Sequence, residues 1–541
     1  MIKKFFKEHW ILIVIMLLAG FMRLWEINHY PGGLFPDEAA NGLDVNSILK
    51  GDVHPFYERG NGREALFFYV IAAVVALFGR GPWQHHIVSA SFGIAEVYVA
   101  YLLTKRLFGK KMALLSAFFM ATCSYAVTVS RTAFRANTIP LFTGLTLYFF
   151  VKFFQSTDRK SKLWALFWAG ISFGLGFYTY ISYRMMIPLV LGFAVLLALA
   201  YRDRWPLVWQ NIKMQWAFVT GFVLSFAWIG YYFISHPGSF VGRAGQVSIF
   251  SSDLNHGDVL GTFLNVLKAT ILSFWVTGDS NWRHNVSGYP FLSPFVSPFF
   301  AIGLIMFSWS MFVMLKQIWQ KNLQFKTAAQ ALIAILFWFM MVPEVTTAEG
   351  IPHGLRLIGV MPSIFIMSAY GAIWFWEKLS FWSRLRITKI AIPVIFLTGV
   401  FVYNFYLYFA VAVASPEYYY AFRSDLTTVS QYLNARNNKQ QTYLSLDDFS
   451  VQTVEYLTTV KNQPYVLVDP ASTYKVNLKP HDQVVFTQST MYDITKFVET
   501  HPQARVIKEC RNEFKYLIMR VYEMPELNAS DATKTKPDCS F

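Results

Sequence analysis

Long apolar segments recur along the first three quarters of this chain, and each is about as long as a bilayer is thick. A helix needs roughly 17 or more predominantly apolar residues to cross the hydrocarbon core. Since lipid offers no partner to backbone polar groups, such segments must be helical. The sequence therefore predicts a polytopic α-helical membrane protein with about 11 to 13 spans. The clearest segments are 10–27, 85–104, 112–130, 136–154, 163–180, 184–201, 214–234, 297–316, 328–343, 355–376 and 388–410.

The composition agrees with a membrane protein. Charged residues make up 15% of the 541 residues, whereas soluble domains contain about 25%. The formal net charge of +15 is also typical of nucleic-acid-binding proteins. Here, however, the basic residues lie mainly in short loops between apolar segments, where the positive-inside rule accounts for them. We therefore expect a multi-pass protein of the cell membrane with no nucleic-acid partner.

The basic loops also indicate the orientation of the chain. Residues Lys105, Arg106, Lys110 and Lys111 follow the second predicted span, and the positive-inside rule places them in the cytoplasm. Segment 65–78 has only about 14 residues, which is short for a span. If this segment crossed the membrane, every later loop would lie on the opposite side, and the basic loops would face outward. We therefore interpret it as a re-entrant or interfacial helix on the outer side. This orientation puts the N-terminus inside and the C-terminal region outside.

The character of the sequence changes after about residue 410. Short β-rich segments at 441–446, 464–468, 483–487, 505–507 and 515–522 alternate with helical stretches at 425–436, 449–460 and 491–500. Such alternation is typical of a small α/β domain. We predict two domains, a transmembrane domain at 1–410 and an extracytoplasmic α/β domain at 411–541, which we interpret as a docking or acceptor-shaping module. Cys510 and Cys539 could pair there or remain as free thiols.

Two adjacent carboxylates, Asp37 and Glu38, follow the first predicted span and open a predicted helix. Acidic residues are common in a first helical turn, where they stabilise the helix. At the membrane boundary, however, a carboxylate can also act as general base on an acceptor hydroxyl. The nearby polar cluster, which includes Glu58, Arg63 and Glu64, favours a functional role for this loop.

Arginine, rather than lysine, dominates the loops that we place outside. The guanidinium group binds phosphate through two parallel hydrogen bonds, so this bias favours an anionic headgroup as ligand. Arg131 and Arg135 are four residues apart, which predicts that they share one helical face. Arg356 lies at the mouth of a predicted span. The alternative is that each arginine only extends towards lipid headgroups. The outer arginines are Arg59, Arg63, Arg80, Arg131, Arg135, Arg184, Arg243, Arg283 and Arg356.

Several histidines also fall in or near the predicted outer loops, namely His85, His86, His284 and His353. Their spacing matches no common metal-binding motif. The sequence therefore predicts no certain cofactor and leaves a divalent metal open.

These residues lie in motifs that resemble the GT-C superfamily of membrane glycosyltransferases, which use lipid-phosphate sugars. The branch that it resembles contains protein O-mannosyltransferases and the aminoarabinose transferases of lipid A. The resemblance covers roughly 10–410. It rests on Asp37-Glu38, Asn61-Gly62-Arg63-Glu64, Leu107-Phe108-Gly109, Ser130-Arg131, Gly278-Asp279-Ser280-Asn281-Trp282-Arg283-His284-Asn285 and Pro352-His353-Gly354-Leu355-Arg356. The chain departs from the mannosyltransferase pattern because it lacks a His-Pro-Pro run before the short helix and a large inserted luminal domain.

The resemblance implies roles for individual residues. Asp37 would be the catalytic base, assisted by Glu38. The donor phosphate would be bound by outer arginines, for which the candidates are Arg131, Arg135, Arg356 and Arg63. Further candidates for substrate binding are Glu58, Glu64, Arg283, His284 and His353.

The function expected from these features is transfer of a hexose or pentose from a polyprenyl-phosphate donor. The acceptor would be a hydroxyl of a protein, lipid or glycan on the outer face, and direct attack would invert the anomeric configuration. A transporter or flippase of lipid-linked saccharides is one alternative, although no repeat typical of transporters is evident. A non-catalytic envelope-assembly protein is the other.

Overall fold

The computed structural model describes residues 2–241, 245, 247–382, 388–436, 441–459, 465–526 and 539. Helices dominate this part of the chain. In chain order they are α1 (Ile2–Leu24), α2 (Pro36–Leu49), α3 (Leu66–Phe78), α4 (Pro82–Phe108), α5 (Lys110–Thr122), α6 (Ser124–Arg131), α7 (Ile139–Gln155), α8 (Arg159–Gly176), α9 (Met186–Ala200), α10 (Trp205–Met214), α11 (Trp216–Ser235), α12 (Pro237–Val241), α13 (Ser252–Asn255), α14 (Val259–Leu272), α15 (Ser297–Trp319), α16 (Phe325–Val345), α17 (Met361–Trp382), α18 (Thr388–Tyr406), α19 (Pro416–Ala421), α20 (Ser424–Ala435), α21 (Val451–Leu457) and α22 (Ile494–Thr500).

All eleven predicted spans coincide with helices, so the prediction of a polytopic helical membrane protein is confirmed. Within the described residues, seven helical segments are long and apolar enough to cross a membrane, or eight if the bent pair α5 and α6 forms one span. This count is below the 11 to 13 predicted. One reason is that α7 has only 17 residues. Another is that α8 includes Arg159, Lys160 and Lys162. The short apolar helix predicted at 65–78 is α3, which has 13 residues.

One predicted span, 112–130, is broken. Helices α5 and α6 meet at Cys123 with a bend of 58°. The buried Arg23 guanidinium donates to the carbonyl oxygens of Met120 (3.2 Å) and Ala121 (3.0 Å) just before the break. The amide of Ser124 donates to Oδ1 of Asn404 at 2.9 Å just after it. Since a break leaves helical backbone groups without their usual partners, these side chains stabilise the bend.

Close helix packing relies on glycine at several positions, of which α15 and α17 give the clearest case. A Cβ atom on Gly303 would meet the carbonyl oxygen of Met367, and one on Gly371 would meet that of Phe299. Without a side chain at these two positions, the backbones can approach closely, as is common between membrane helices.

Internal contacts divide the chain into two units. The first comprises Met1–Trp25, Val53–Val70 and His86–Ala412, and the second comprises Glu26–Asp52, Ile71–His85 and Val413–Phe541. The second unit therefore includes two N-terminal segments together with the C-terminal region. The predicted boundary between 1–410 and 411–541 stays a prediction.

The C-terminal part of the second unit contains the predicted small α/β fold. The first two strands of the chain, β1 (Phe56–Tyr57) and β2 (Arg63–Glu64), form a hairpin in the first unit. The sheet of the C-terminal fold consists of β3 (Thr442–Ser445), β4 (Val466–Val468), β5 (Gln483–Thr487), β6 (Arg505–Arg511) and β7 (Leu517–Glu523). The strand order is β4-β3-β5-β7-β6. Strand β3 is parallel to β4 and β5, whereas β7 is antiparallel to both of its neighbours.

Each β-rich segment predicted from the sequence matches a strand within a few residues. Two ends of predicted elements, residues 460 and 464, lie outside the described residues. A buried core of Leu426, Val429, Leu444 and Val485 joins α20 to the sheet. Cys510 and Cys539 form a disulfide, so the expectation that they could pair is confirmed.

Candidate functional site

The acidic pair of the first loop lies in the second unit, at the start of α2. Pro36 is the first helical residue, where its missing N–H costs nothing. Glu38 is fully buried, and its Oε2 accepts a hydrogen bond from the amide of Phe35 at 2.9 Å. Asp37 is partly exposed. The two neighbouring carboxylates therefore differ in environment, since Glu38 stabilises the helix start and Asp37 reaches solvent.

The acidic segment is held by α21 within the same unit. Tyr456 is fully buried beneath Gly42, whose Cβ, if present, would lie 2.6 Å from the tyrosine ring. The hydroxyl of Tyr456 is 2.9 Å from Nε2 of His85. The hydroxyl of Thr453 donates to the carbonyl oxygen of Leu34 at 3.0 Å. The small C-terminal fold thus fixes the helix that carries Asp37.

A cluster of arginines around one carboxylate lies in the first unit. The β1–β2 hairpin positions Glu64, whose side chain is only 3% exposed. Its Oε2 accepts from Nε of Arg135 at 2.9 Å, and its Oε1 accepts from Nη2 of Arg184 at 3.3 Å. Arg135 also donates to the carbonyl oxygen of Gly62 at 3.2 Å. We call Glu64, Arg135 and Arg184 the Glu64 cluster. It combines two guanidinium groups with one carboxylate and therefore carries one excess positive charge.

Aromatic rings support both guanidinium groups of the Glu64 cluster. Arg184 lies over the ring of Phe240, with 4.4 Å between its Cζ and the ring centroid, and Arg135 lies over Tyr180 at 5.1 Å. The Nη1 atom of Arg184 is buried and, among the described residues, has no hydrogen-bond partner. A buried donor that lacks an acceptor is costly, so this atom is suited to an anionic ligand.

Arg131 is in a different environment from Arg135. Helix α6 ends at Arg131, Thr132 and Phe134 have extended backbones, and Arg135 opens a 3₁₀ turn. The prediction that the two arginines share one helical face is therefore wrong. Arg131 is fully buried, donates to the carbonyl oxygen of Met22 at 3.4 Å and lies over Tyr408.

The remaining charged residues of the predicted site make local contacts. Arg63 is buried, and its guanidinium lies against the Gly60 turn. Glu58 accepts a hydrogen bond from the hydroxyl of Tyr232 at 2.8 Å. Arg356 pairs with Glu349 at 3.8 Å. None of these three contacts involves the Glu64 cluster.

A second polar cluster in the first unit joins the loop after α14 to the loop after α16. Asp279 and His284 are buried, and Oδ2 of Asp279 lies 2.8 Å from Nδ1 of His284. The same oxygen accepts from the amide of Gly354 at 2.8 Å. The rings of His284 and His353 are 4.5 Å apart. We call Asp279, His284 and His353 the Asp279 cluster.

Burial favours the neutral form of both imidazoles of the Asp279 cluster. Burial lowers the pKa of His284, although the hydrogen bond that its Nδ1–H donates to the Asp279 carboxylate opposes this shift. Burial also lowers the pKa of His353 well below its usual value, and the neighbouring His284 and Arg356 lower it further. Neutral imidazoles can accept protons or bind metal ions.

Two residues of these clusters, Arg184 and Asp279, and the neighbouring Glu344 received no role from the sequence alone. Arg184 was one outer arginine among nine, and nothing local distinguishes it. Asp279 lies in the motif that contains Arg283 and His284, and its position five residues before a histidine was a usable signal. Glu344, whose Oε1 accepts from the amide of His353 at 2.8 Å, lies at the end of an apolar helix. An acidic residue there is rare enough to indicate a specific role.

Comparisons with known proteins agree with this architecture. Residues 64–232 match the family described as dolichyl-phosphate-mannose-protein mannosyltransferase. The chain is also similar to ArnT from Cupriavidus metallidurans bound to undecaprenyl phosphate, with a TM-score of 0.53 and 14% identity over 97% of this chain and 99% of that one. The chain has the GT-C fold. The predicted resemblance to the GT-C superfamily is thus confirmed at the level of the fold, and glycosyltransferase activity stays a prediction.

Two further proteins are similar to this chain. The oligosaccharyltransferase of Archaeoglobus fulgidus, tethered to an acceptor peptide, has a TM-score of 0.51 and 13% identity over 97% of this chain and 76% of that chain. The putative mannosyltransferase YkcB of Bacillus subtilis is 27% identical over 37% of this chain and 31% of its own length. The GT-C protein thus matches about a third of this curated relative.

Proposed function

We propose that this protein transfers a sugar from a polyprenyl-phosphate donor to an acceptor hydroxyl on the outer face of the membrane, with inversion at the anomeric carbon. The family match over residues 64–232 and the undecaprenyl phosphate bound to ArnT support a lipid-phosphate donor. The observation that carries the proposal is the Glu64 cluster, which has an excess positive charge and a buried guanidinium donor with no acceptor among the described residues.

The donor phosphate is the ligand that suits the Glu64 cluster. Glu64 holds the two guanidinium groups in place before any ligand binds, so little side-chain entropy is lost on binding. A phosphate that accepts from Nη1 of Arg184 would satisfy the buried donor and balance the excess charge. Arg131, Arg63 and Arg356 remain further candidates for the donor phosphate, and Glu58, Arg283, His284 and His353 for the sugar or acceptor.

Asp37 is the proposed general base. A polyprenyl-phosphate sugar already carries a good leaving group, so the protein must mainly position the acceptor and take its proton. Asp37 is partly exposed at the start of a firmly held helix, whereas Glu38 is occupied with the backbone of that helix. We therefore assign proton transfer to Asp37 and positioning to Glu38. Direct attack by the acceptor oxygen gives the inverted product.

The proposed orientation has the N-terminus in the cytoplasm and the C-terminal fold outside. The disulfide between Cys510 and Cys539 supports this orientation, because disulfides persist in oxidising compartments outside the cytoplasm. The proposed partners are the lipid bilayer, the polyprenyl-phosphate sugar and an acceptor protein, lipid or glycan.

The proposal is tested with purified protein and labelled polyprenyl-phosphate sugars. A glycosyltransferase releases polyprenyl phosphate and passes the label to an acceptor or to water. A flippase would instead move the labelled lipid across proteoliposome membranes without cleaving it, and an assembly protein would do neither. Absence of label transfer with hexose and pentose donors, in protein that is folded and binds the donor, would contradict the proposal.

Donor binding by the Glu64 cluster is tested separately with Arg184→Met. Loss of one partner from a buried charge pair costs about 2–5 kcal/mol, which corresponds to a roughly 30- to 4,000-fold weaker Kd. The matched control is Arg159→Met, because Arg159 is exposed at the start of α8. Equal donor affinity of both variants and the wild-type protein would assign Arg184 a purely structural role.

A further inference from the structure

We infer that the Asp279 cluster is a binding site for a divalent transition-metal ion of the zinc class. Asp279, His284 and His353 each offer one ligand atom, and these atoms lie within 4.8 Å of one another. Binding of the ion does not require the sugar transfer proposed above, so the two proposals can fail separately.

The ligand set favours a transition-metal ion over magnesium or calcium. Two imidazoles and one carboxylate are typical of zinc sites that keep an open position, whereas magnesium and calcium prefer oxygen ligands alone. Ligand atoms around a tetrahedral zinc ion, at about 2.0–2.2 Å from it, are roughly 3.3 Å apart. The three ligand atoms lie within 4.8 Å of one another, so small rotations of the side chains could bring all three into contact with one ion.

A separate observation also points to a ligand. Nδ1 of His353 is buried and, within the described part of the chain, has no hydrogen-bond partner. The backbone amide of the same residue is fixed by Glu344 at 2.8 Å, so the loop holds this imidazole next to His284. A buried ring nitrogen without a partner costs free energy unless something else binds it.

The two loops are joined before any ion binds. Oδ2 of Asp279 accepts from the amide of Gly354 at 2.8 Å, which connects the loop of His284 to that of His353. In addition, the hydroxyl of Thr132 donates to the carbonyl oxygen of Arg283 at 2.8 Å, and this bond anchors the His284 loop beside α6. The ligands therefore need little ordering on binding, which favours affinity.

The surroundings suggest what the open position would bind. Arg283 and Arg356 interact electrostatically with both imidazoles. Arg356 is paired with Glu349, and Arg283 donates to Oδ1 of Asn281 at 3.1 Å. An ion held by the Asp279 cluster would thus lie in a basic neighbourhood, which suits an anionic ligand in its open coordination position.

The test uses the full chain in detergent, purified through a tag without histidine and treated with a chelator. Titration with Co²⁺, followed by its visible absorption, and competition with Zn²⁺ give the stoichiometry and affinity. We expect one ion per chain in the wild-type protein. Asp279→Asn, His284→Gln and His353→Gln should each weaken binding by at least about 10²-fold, since even outer-shell changes cost about 10- to 100-fold.

The matched control is His236→Gln, because His236 is an exposed histidine of the same unit. It should bind the ion as the wild-type protein does. Wild-type protein that binds no stoichiometric ion would overturn the inference, and this result does not depend on whether any variant folds. Equal binding by the wild-type protein and all three cluster variants would overturn it as well.

Discussion

Replacing Asp37 with asparagine separates the two roles that a carboxylate can have at the start of α2. As a general base, Asp37 contributes about 10²–10⁴-fold to turnover, which is roughly 2.7–5.4 kcal/mol of activation free energy. As a helix-stabilising charge, it contributes only about 0.3–1 kcal/mol to stability. Asp37→Asn keeps the shape of the side chain but removes the base. We therefore expect a large loss of kcat with little change in stability.

Glu38 supplies the matched comparison because its carboxylate accepts a hydrogen bond from the backbone at the start of α2. It is fully buried and accepts from the amide of Phe35 at 2.9 Å. Glu38→Gln keeps an acceptor oxygen and should be mild in both turnover and stability. Glu38→Ala removes this charge-assisted bond, so the free energy of unfolding should fall by about 1.5–3 kcal/mol.

The assay measures single-turnover release of label from a polyprenyl-phosphate sugar, together with donor affinity and thermal unfolding of the same samples. Donor affinity should stay nearly unchanged in Asp37→Asn, because the lost interaction belongs to the transition state. A folded Asp37→Asn protein that turns over at the wild-type rate would refute the reasoning. The acidic pair would then only stabilise the N-terminus of α2, and the proposed role of Asp37 as general base would be wrong.

Three further predictions concern the scaffold. Tyr456→Ala should lower the free energy of unfolding by about 3–5 kcal/mol, and Tyr456→Phe should lower it less. Thermal unfolding measures both variants. Equal stability of the two would contradict the role of α21 in holding α2. Gly303→Ala should lower the free energy of unfolding by about 1–3 kcal/mol. Gly192→Ala should be neutral, because a Cβ atom there would meet none of the described residues within 4 Å. Similar melting temperatures of the two variants would argue against the close packing of α15 and α17. A cysteine at Phe108 should react with impermeant reagents only from the cytoplasmic side, and labelling from outside would refute the re-entrant interpretation of α3.

Much of the fold could be predicted because hydropathy and periodicity act over short stretches of sequence. Every predicted span overlaps a helix, although span 112–130 is divided between α5 and α6, and the strands of the C-terminal sheet match their β-rich segments. The break at Cys123 could not be predicted. It depends on Arg23 and Asn404, which lie about a hundred and almost three hundred residues away along the chain.

The sequence predicted which types of residue form the candidate site, but not which of these side chains contact each other. The sequence indicated a role for arginines, yet it paired Arg131 with Arg135 by helical spacing, and the extended backbone between them removed that relation. The partner that matters for Arg135 is Glu64, which also binds Arg184. These residues come from three separate segments, so no local pattern connects them.

Local sequence patterns were enough to predict that this chain spans a membrane, roughly where its helices lie and which residue types could carry chemistry. These properties follow from the need of each segment to satisfy its own backbone in lipid. The folded arrangement was needed to show that Glu38 stabilises the start of α2, that Glu64 holds two arginines and that Asp279 joins two histidine-bearing loops. The energy of a charged group depends on whichever groups surround it after folding, and distant segments supply those groups.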